Sequence, residues 1–101
     1  MKISIISASH RTNSQSKKIS DILLNNLLNI KSDLDMYDID LGEKPLPLWS
    51  PDKKIGKGVW GSAWNSISDN LKQSDGFILI VPEYGGMATP AAKNVFLLCS
   101  N

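Results

Sequence analysis

The chain has 101 residues, 42% of them hydrophobic, which fits one small domain and not two. Its 11 basic and 10 acidic side chains leave a formal charge of +1, excluding a strongly basic nucleic-acid binder and an acidic tail but not a local cationic pocket. One cysteine, Cys99, and one histidine, His10, exclude an intramolecular disulfide framework and a Cys/His metal cluster.

Lys2 to Ser7 is short, β-branched and apolar, and predicts a buried first strand. The polar stretch Ala8 to Ser16 predicts a loop. Ile19, Ile22, Leu23, Leu27 and Ile30 recur at helical spacing and predict an amphipathic helix from about Ser14 to about Leu28. From Asp35 to Leu41, Met36, Asp38 and Asp40 alternate with Tyr37, Ile39 and Leu41, as in a half-exposed second strand. Gly42 to Gly58 holds Pro45, Pro47 and Pro51 and predicts a loop. Val59, Trp60, Ala63, Trp64, Ile67 and Leu71 predict a second helix to about Gln73, closed by Gly76 as a left-handed C-cap. Phe77 to Val81 is uniformly apolar, as expected of a central parallel strand covered on both faces. Pro82 ends it, Glu83 to Thr89 form a glycine-containing loop, and Pro90 starts a third helix.

The order βαβαβα predicts an α/β fold with an open parallel sheet and right-handed crossovers. Sheets of this kind commonly have about five strands. Three are supplied here, and the chain stops inside the apolar run Val95 to Cys99. Residues 1–101 are therefore expected to be the N-terminal portion of a single larger domain, leaving the edge of the third strand unpaired and prone to association. No run is long enough to span a bilayer, and the N-terminus lacks the apolar core of a signal peptide. A soluble, cytoplasmic setting is expected, with neither membrane nor nucleic acid as partner.

The first strand-to-helix loop carries the strongest physical signal. Ser9, Thr12, Ser14 and Ser16 supply hydroxyls and Arg11 a guanidinium beside a helix N-terminus, where free N–H groups and the helix dipole favour a phosphate. An ordinary N-cap and polar surface loop would use the same residues. There is no Gly-Lys-Ser/Thr, and no glycine precedes Gly42, so neither a Walker loop nor the dinucleotide fingerprint is present. The second loop, Pro82 to Pro90, follows the third strand and falls at the same carboxyl edge. In the strand order 2-1-3, the two loops flank the switch point where ligands bind. Gly85 and Gly86 let backbone approach a flat ring, and Tyr84 can stack at its rim; a plain glycine turn is the competing reading.

Ala8-Ser9-His10-Arg11-Thr12-Asn13-Ser14 resembles the Gly-Ser-x-Arg-x-x-Ser loop of the NADPH-dependent FMN reductase family. Pro82-Glu83-Tyr84-Gly85-Gly86, followed by Pro90 to Asn94, resembles its Pro-Glu-Tyr-Asn … Pro-x-x-Leu-Lys-Asn element, and Asp40-Leu41 with Leu46-Pro47-Leu48 its Asp-Leu … Leu-Pro segment. The resemblance implies a flavodoxin-like, doubly wound fold, with FMN and NAD(P)H as cofactors and a small-molecule electron acceptor. It implies a homo-oligomer, dimer or tetramer, for the full-length form. By carry-over, Ser9, Arg11, Ser14 and Ser16 hold the FMN phosphate with the Gln15 N–H, and Pro82, Glu83, Tyr84, Gly85 and Gly86 line the ring. No catalytic side chain is assigned, because the redox chemistry belongs to the flavin. Ala8 and Gly85 depart from the family's Gly and Asn, the interval from Pro82 to Pro90 is about one residue longer, and the family's fourth and fifth strands are missing. The expected activity is that of an NAD(P)H-dependent oxidoreductase acting through FMN. The alternatives are a flavodoxin-type electron carrier and an inactive truncated fragment.

Among the remaining residues, His10 reads as a solvent-facing loop residue or a phosphate contact. Trp60 and Trp64 read as packing residues, Cys99 as a buried free thiol, and Lys53, Lys54 and Lys57 as a solvated basic cluster.

Overall fold

The computed structural model describes residues 1–51 and 61–100. Lys53, Lys54, Lys57 and Trp60 lie outside the described residues. The elements are β1 (Lys2–Ser7), α1 (Gln15–Ile30), β2 (Asp35–Asp40), α2 (Gly61–Lys72), β3 (Gly76–Ile80), a hairpin of β4 (Glu83–Tyr84) and β5 (Met87–Ala88), and α3 (Pro90–Cys99). β1 pairs in parallel with both neighbours, giving the order β2-β1-β3. In register, Ile6 of β1 lies beside Ile39 on one side and Leu79 on the other. This is a flavodoxin-like α/β arrangement: the alternating pattern predicts the open parallel sheet, and the family resemblance implies its order.

The pleat sends alternate residues of β1 to opposite faces. Ile6 and Ala8 join Ile39, Leu41, Trp64, Leu71, Ala92, Val95 and Leu98 in the core, so α2 and α3 pack on that face. Tyr37 also packs against this cluster, as the alternation in β2 predicts. α1 lies on the opposite face. There Lys17 bonds to Asp38, and the Ser20 hydroxyl lies 3.5 Å from the same carboxylate.

The inward face of α1 differs from the one the isoleucines suggest. Ile19, Ile22 and Ile30 are exposed at 48%, 60% and 83%, while the buried positions are Ser16 and Ser20, with Leu23, Leu24 and Leu27 half-buried. Small serines at these positions let the helix approach the fully buried Ile5 of β1 closely. A hydrophobicity count misses a face built on serine.

Three further corrections concern the third unit. Gly76 is not a C-cap: it has no positive φ and pairs with Ile3 inside β3, where an added Cβ would meet Ile3 Cδ1 at 3.1 Å. The segment 83–89 is not an open loop but carries the β4–β5 hairpin. β3 is not covered on both faces either. It forms the edge of the sheet among the described residues, with Phe77 56% exposed and Ile78, Leu79 and Ile80 half-buried. An apolar groove of about 370 Å³ runs beside it, lined by Trp64, Leu71, Phe77, Leu79, Phe96 and Cys99. Cys99 is accordingly exposed, not buried, although partial desolvation still raises its thiol pKa.

One side chain ties the first and third units together. Thr89, with no exposed surface, caps α3 by accepting from the Ala92 N–H at 3.1 Å, and its hydroxyl donates to the Ala8 carbonyl at 2.7 Å. Replacing it by valine keeps the shape and orphans both backbone groups. Thr89→Val should cost about 2–3 kcal/mol in urea unfolding, whereas Thr89→Ser, which keeps the hydroxyl, should cost about 1 kcal/mol. A smaller loss for Thr89→Val than for Thr89→Ser would assign the role of Thr89 to its methyl group.

Candidate functional site

Parallel strands place all three following loops at one edge of the sheet, and backbone bonds hold them there. The Ala8 N–H donates to the Ile80 carbonyl at 2.9 Å, and the Leu41 N–H donates to the Ser7 carbonyl at 3.0 Å. The loop after β1 is thus flanked by the loop after β2 on one side and the hairpin on the other.

The loop after β1 turns sharply into α1. Asn13 takes the left-handed conformation (φ 51°), which asparagine tolerates better than most residues. Ser14 is the N-cap, its hydroxyl accepting from the Lys17 N–H at 3.0 Å. The N–H groups of Gln15 and Ser16 fall in the first turn, where a helix offers them no intrahelical acceptor. Ser16 is 6% exposed, on the inward side of α1. Gln15 and Arg11 are exposed, and the Arg11 guanidinium has no hydrogen-bond partner among the described residues. From Ala8 to Lys18 the chain contains no carboxylate. Lys17 is committed elsewhere. It pairs with Asp38 and, at 2.9 Å, with Asp21; burial works to lower its pKa, but these bonds and charges outweigh that and raise it.

Ser9, 3% exposed, joins this loop to the hairpin. Its Oγ accepts from the Arg11 N–H at 3.1 Å and lies 3.1 Å from Tyr84 Oη, which also accepts from the His10 N–H at 3.2 Å. The Tyr84 pKa is lowered by the hydrogen bonds to Ser9 and His10, against a desolvation effect that raises it, with the Arg11 charge adding to the lowering. His10 is exposed but has a structural role. Its Nε2 accepts from the Ala91 N–H at 2.9 Å, and its ring lies 5.6 Å from that of Tyr84.

The hairpin turn carries Gly85 and Gly86 at φ 62° and 77°. Two positive φ values in a two-residue turn match the twist of the hairpin and require glycine or asparagine there. The glycines thus have a reason independent of any flat ligand. Glu83 closes the turn, its carboxylate accepting from the Gly86 N–H. An added Cβ at Gly85 meets nothing within 4 Å, so the turn's outer surface is open.

Two features of the site are silent in the residue types alone. Asn94, 8% exposed, donates from Nδ2 to the Pro47 carbonyl at 3.0 Å and accepts from the Trp49 N–H at 2.7 Å. It pins the Leu46-Pro47-Leu48 segment to α3. Gly42 packs its backbone directly against the loop after β1. An added Cβ there would stand 2.1 Å from the Arg11 carbonyl oxygen and 3.2 Å from that of Ser9. The Asp40-Leu41-Gly42 order is the only hint of this in the sequence.

Among the described residues there is no cluster of three His, Cys, Asp or Glu residues that could hold a metal, and no helix long and apolar enough to cross a membrane. The model of the NADPH-dependent FMN reductase family matches residues 1–101, the whole chain. Among curated proteins the chain has no match.

The close packing at Gly42 is testable. Gly42→Ala forces the Arg11 carbonyl aside and should cost about 1–3 kcal/mol in urea unfolding, as overpacking does. Unchanged stability would mean that the loop yields without strain.

Proposed function

Because the chain belongs to the NADPH-dependent FMN reductase family, we propose that it binds FMN at the edge where its three loops meet and serves an NAD(P)H-dependent oxidoreductase. The observation that carries this reading is the match over the whole chain, together with a loop of hydroxyls, free N–H groups and one uncommitted guanidinium that contains no carboxylate. That donor set suits a phosphate monoester dianion. When bound, FMN supplies the redox chemistry, taking a hydride from a nicotinamide and passing electrons to a small-molecule acceptor.

The protein's part is to bind and orient. Arg11 supplies charge and planar donors to the phosphate, with the Ser14 and Ser16 hydroxyls and the Gln15 N–H around it, while Ser9 holds this loop to the hairpin through the Arg11 N–H and Tyr84 Oη. Ser14 remains the helix cap in this role, because its hydroxyl can donate outward while accepting from Lys17. Pro82, Glu83, Tyr84, Gly85 and Gly86 line the ring side, where the hairpin offers an open backbone surface. The open edge of β3 and its apolar groove support residues 1–101 as the N-terminal portion of a single flavodoxin-like domain. The exposed Leu97 of α3, which does not line that groove, supports a homo-oligomer.

Purified protein mixed with FMN should retain flavin absorbance through gel filtration, and NADPH should bleach it without oxygen. Retained flavin that NADPH leaves oxidised would identify an electron carrier instead. Arg11→Ala removes a side chain with no described intrachain bond, so folding should be unchanged. Losing a charged hydrogen bond of this kind costs about 1.5–3 kcal/mol, so FMN should bind about ten- to a hundredfold more weakly and riboflavin almost as before. Equal weakening of both flavins would remove Arg11 from the phosphate site.

A further inference from the structure

The network joining Ser9, His10, Arg11 and Tyr84 holds one proton more than its internal bonds use. Four donors meet there: the His10 and Arg11 N–H groups and the two hydroxyls of Ser9 and Tyr84. The Arg11 N–H goes to Ser9 Oγ, the His10 N–H goes to Tyr84 Oη, and one hydroxyl proton occupies the 3.1 Å gap between the two oxygens. The other hydroxyl proton has no acceptor within the network. Ser9 is 3% exposed, whereas Tyr84 is only half-buried and stands on the hairpin facing the loop. The outward proton therefore belongs on Tyr84, with Ser9 donating inward.

We propose that the Tyr84 hydroxyl donates this proton as a hydrogen bond to the phosphate of the bound flavin, so that the hairpin completes a phosphate site otherwise built by the loop after β1. This rests on the FMN-binding reading above and adds to it a residue at the phosphate end, where the sequence pattern places Tyr84 at the ring. A phenol receiving two hydrogen bonds beside a guanidinium is a polarised donor, and chained hydrogen bonds strengthen one another. The lowered Tyr84 pKa, caused by Ser9, His10 and Arg11, has the same origin. The contact spans the first and third units of the fold, 75 residues apart in sequence. Phosphate binding would consequently draw the hairpin onto the loop and fix the ring-side backbone at the same time.

Tyr84→Phe isolates the hydroxyl, since the ring and its contact with His10 remain. FMN should bind about tenfold or more weakly and riboflavin within about twofold of the wild type, read by quenching of flavin fluorescence. An unchanged ratio of FMN to riboflavin affinity overturns the proposal. So does equal weakening of both flavins, which would assign Tyr84 to ring packing, or tighter FMN binding, which would make the hydroxyl an occupant that the phosphate must displace. A wild-type protein that binds FMN no better than riboflavin would overturn the functional reading itself, before any variant is compared. Thermal unfolding of the variant checks its fold. A second measurement keeps the hydroxyl in place: with 3-fluorotyrosine at position 84, the ¹⁹F signal should shift on adding inorganic phosphate, and a signal unmoved by phosphate overturns the proposal.

Discussion

Thr89 and Ala8 form the contact on which the geometry of the site depends. Ala8 directly follows β1, before the loop turns away, and it has no exposed surface. Its N–H is held by the Ile80 carbonyl and its own carbonyl by the Thr89 hydroxyl. The two backbone polar groups of this residue, one in each of two successive peptide units, are thus fixed by the end of β3 and by the cap of α3. Ser9 follows directly, so its position relative to Tyr84 is set by bonds made one residue earlier. Ala8 and Thr89 have no exposed surface, and for such groups an unmade hydrogen bond costs more than a made one contributes. The asymmetry makes this junction hard to deform, and it holds the two loops in one register.

Serine does in this fold what larger apolar residues do elsewhere. Ser4, Ser7, Ser9, Ser14, Ser16 and Ser20 are all buried. Ser4 lies 2.5 Å from the Ser74 hydroxyl at the end of α2, and Ser7 donates to the Ile39 carbonyl of β2 at 3.3 Å. Small side chains with a hydroxyl allow close packing and satisfy backbone groups at once. They contribute little apolar area, which the cluster around Ile6, Trp64 and Leu98 supplies on the face covered by α2 and α3. Ser4 shares that face, so a hydroxyl contact supplements the hydrocarbon there, while Ser16 and Ser20 take the buried positions of α1 on the other.

This use of serine bears on what was legible in the sequence. Strands and helices follow from the period of apolar residues, and β1, β2, β3 and α3 fall within about one residue of the pattern. The alternation of elements gave a parallel sheet with right-handed crossovers, and the order 2-1-3 came with the flavodoxin-like resemblance. The inward face of α1 was legible only in part: Leu23 and Leu27 are half-buried as the period suggests, but the buried positions are Ser16 and Ser20, which no hydrophobic count registers. The hairpin was hidden because its glycines fit a loop as well as a two-residue turn, and only their paired positive φ values decide between these. Gly42 and Asn94 act through contacts with residues far away in sequence, such as Arg11 and Pro47, and no local pattern records them. The candidate residues of both loops were readable, since each lies at a strand's carboxyl end. The partners that orient them were not.

The charge balance shows the same limit from another direction. A net charge of +1 describes the chain, not the field at the loop after β1. Three cations lie between Ala8 and Lys18, but Lys17 is neutralised by Asp21 and Asp38 across the α1–β2 contact. The pairing fixes α1 against the sheet and removes that charge from the ligand edge. Arg11 is left as the guanidinium that faces outward without a described partner, and its backbone is held by Ser9 on one side and Gly42 on the other. A flexible side chain on a fixed backbone can follow a phosphate without the loop reorganising, which keeps the cost of binding in the side chain's own rotamers. The fold therefore concentrates its rigidity in the backbone of the site and leaves the Arg11 charge free to adapt.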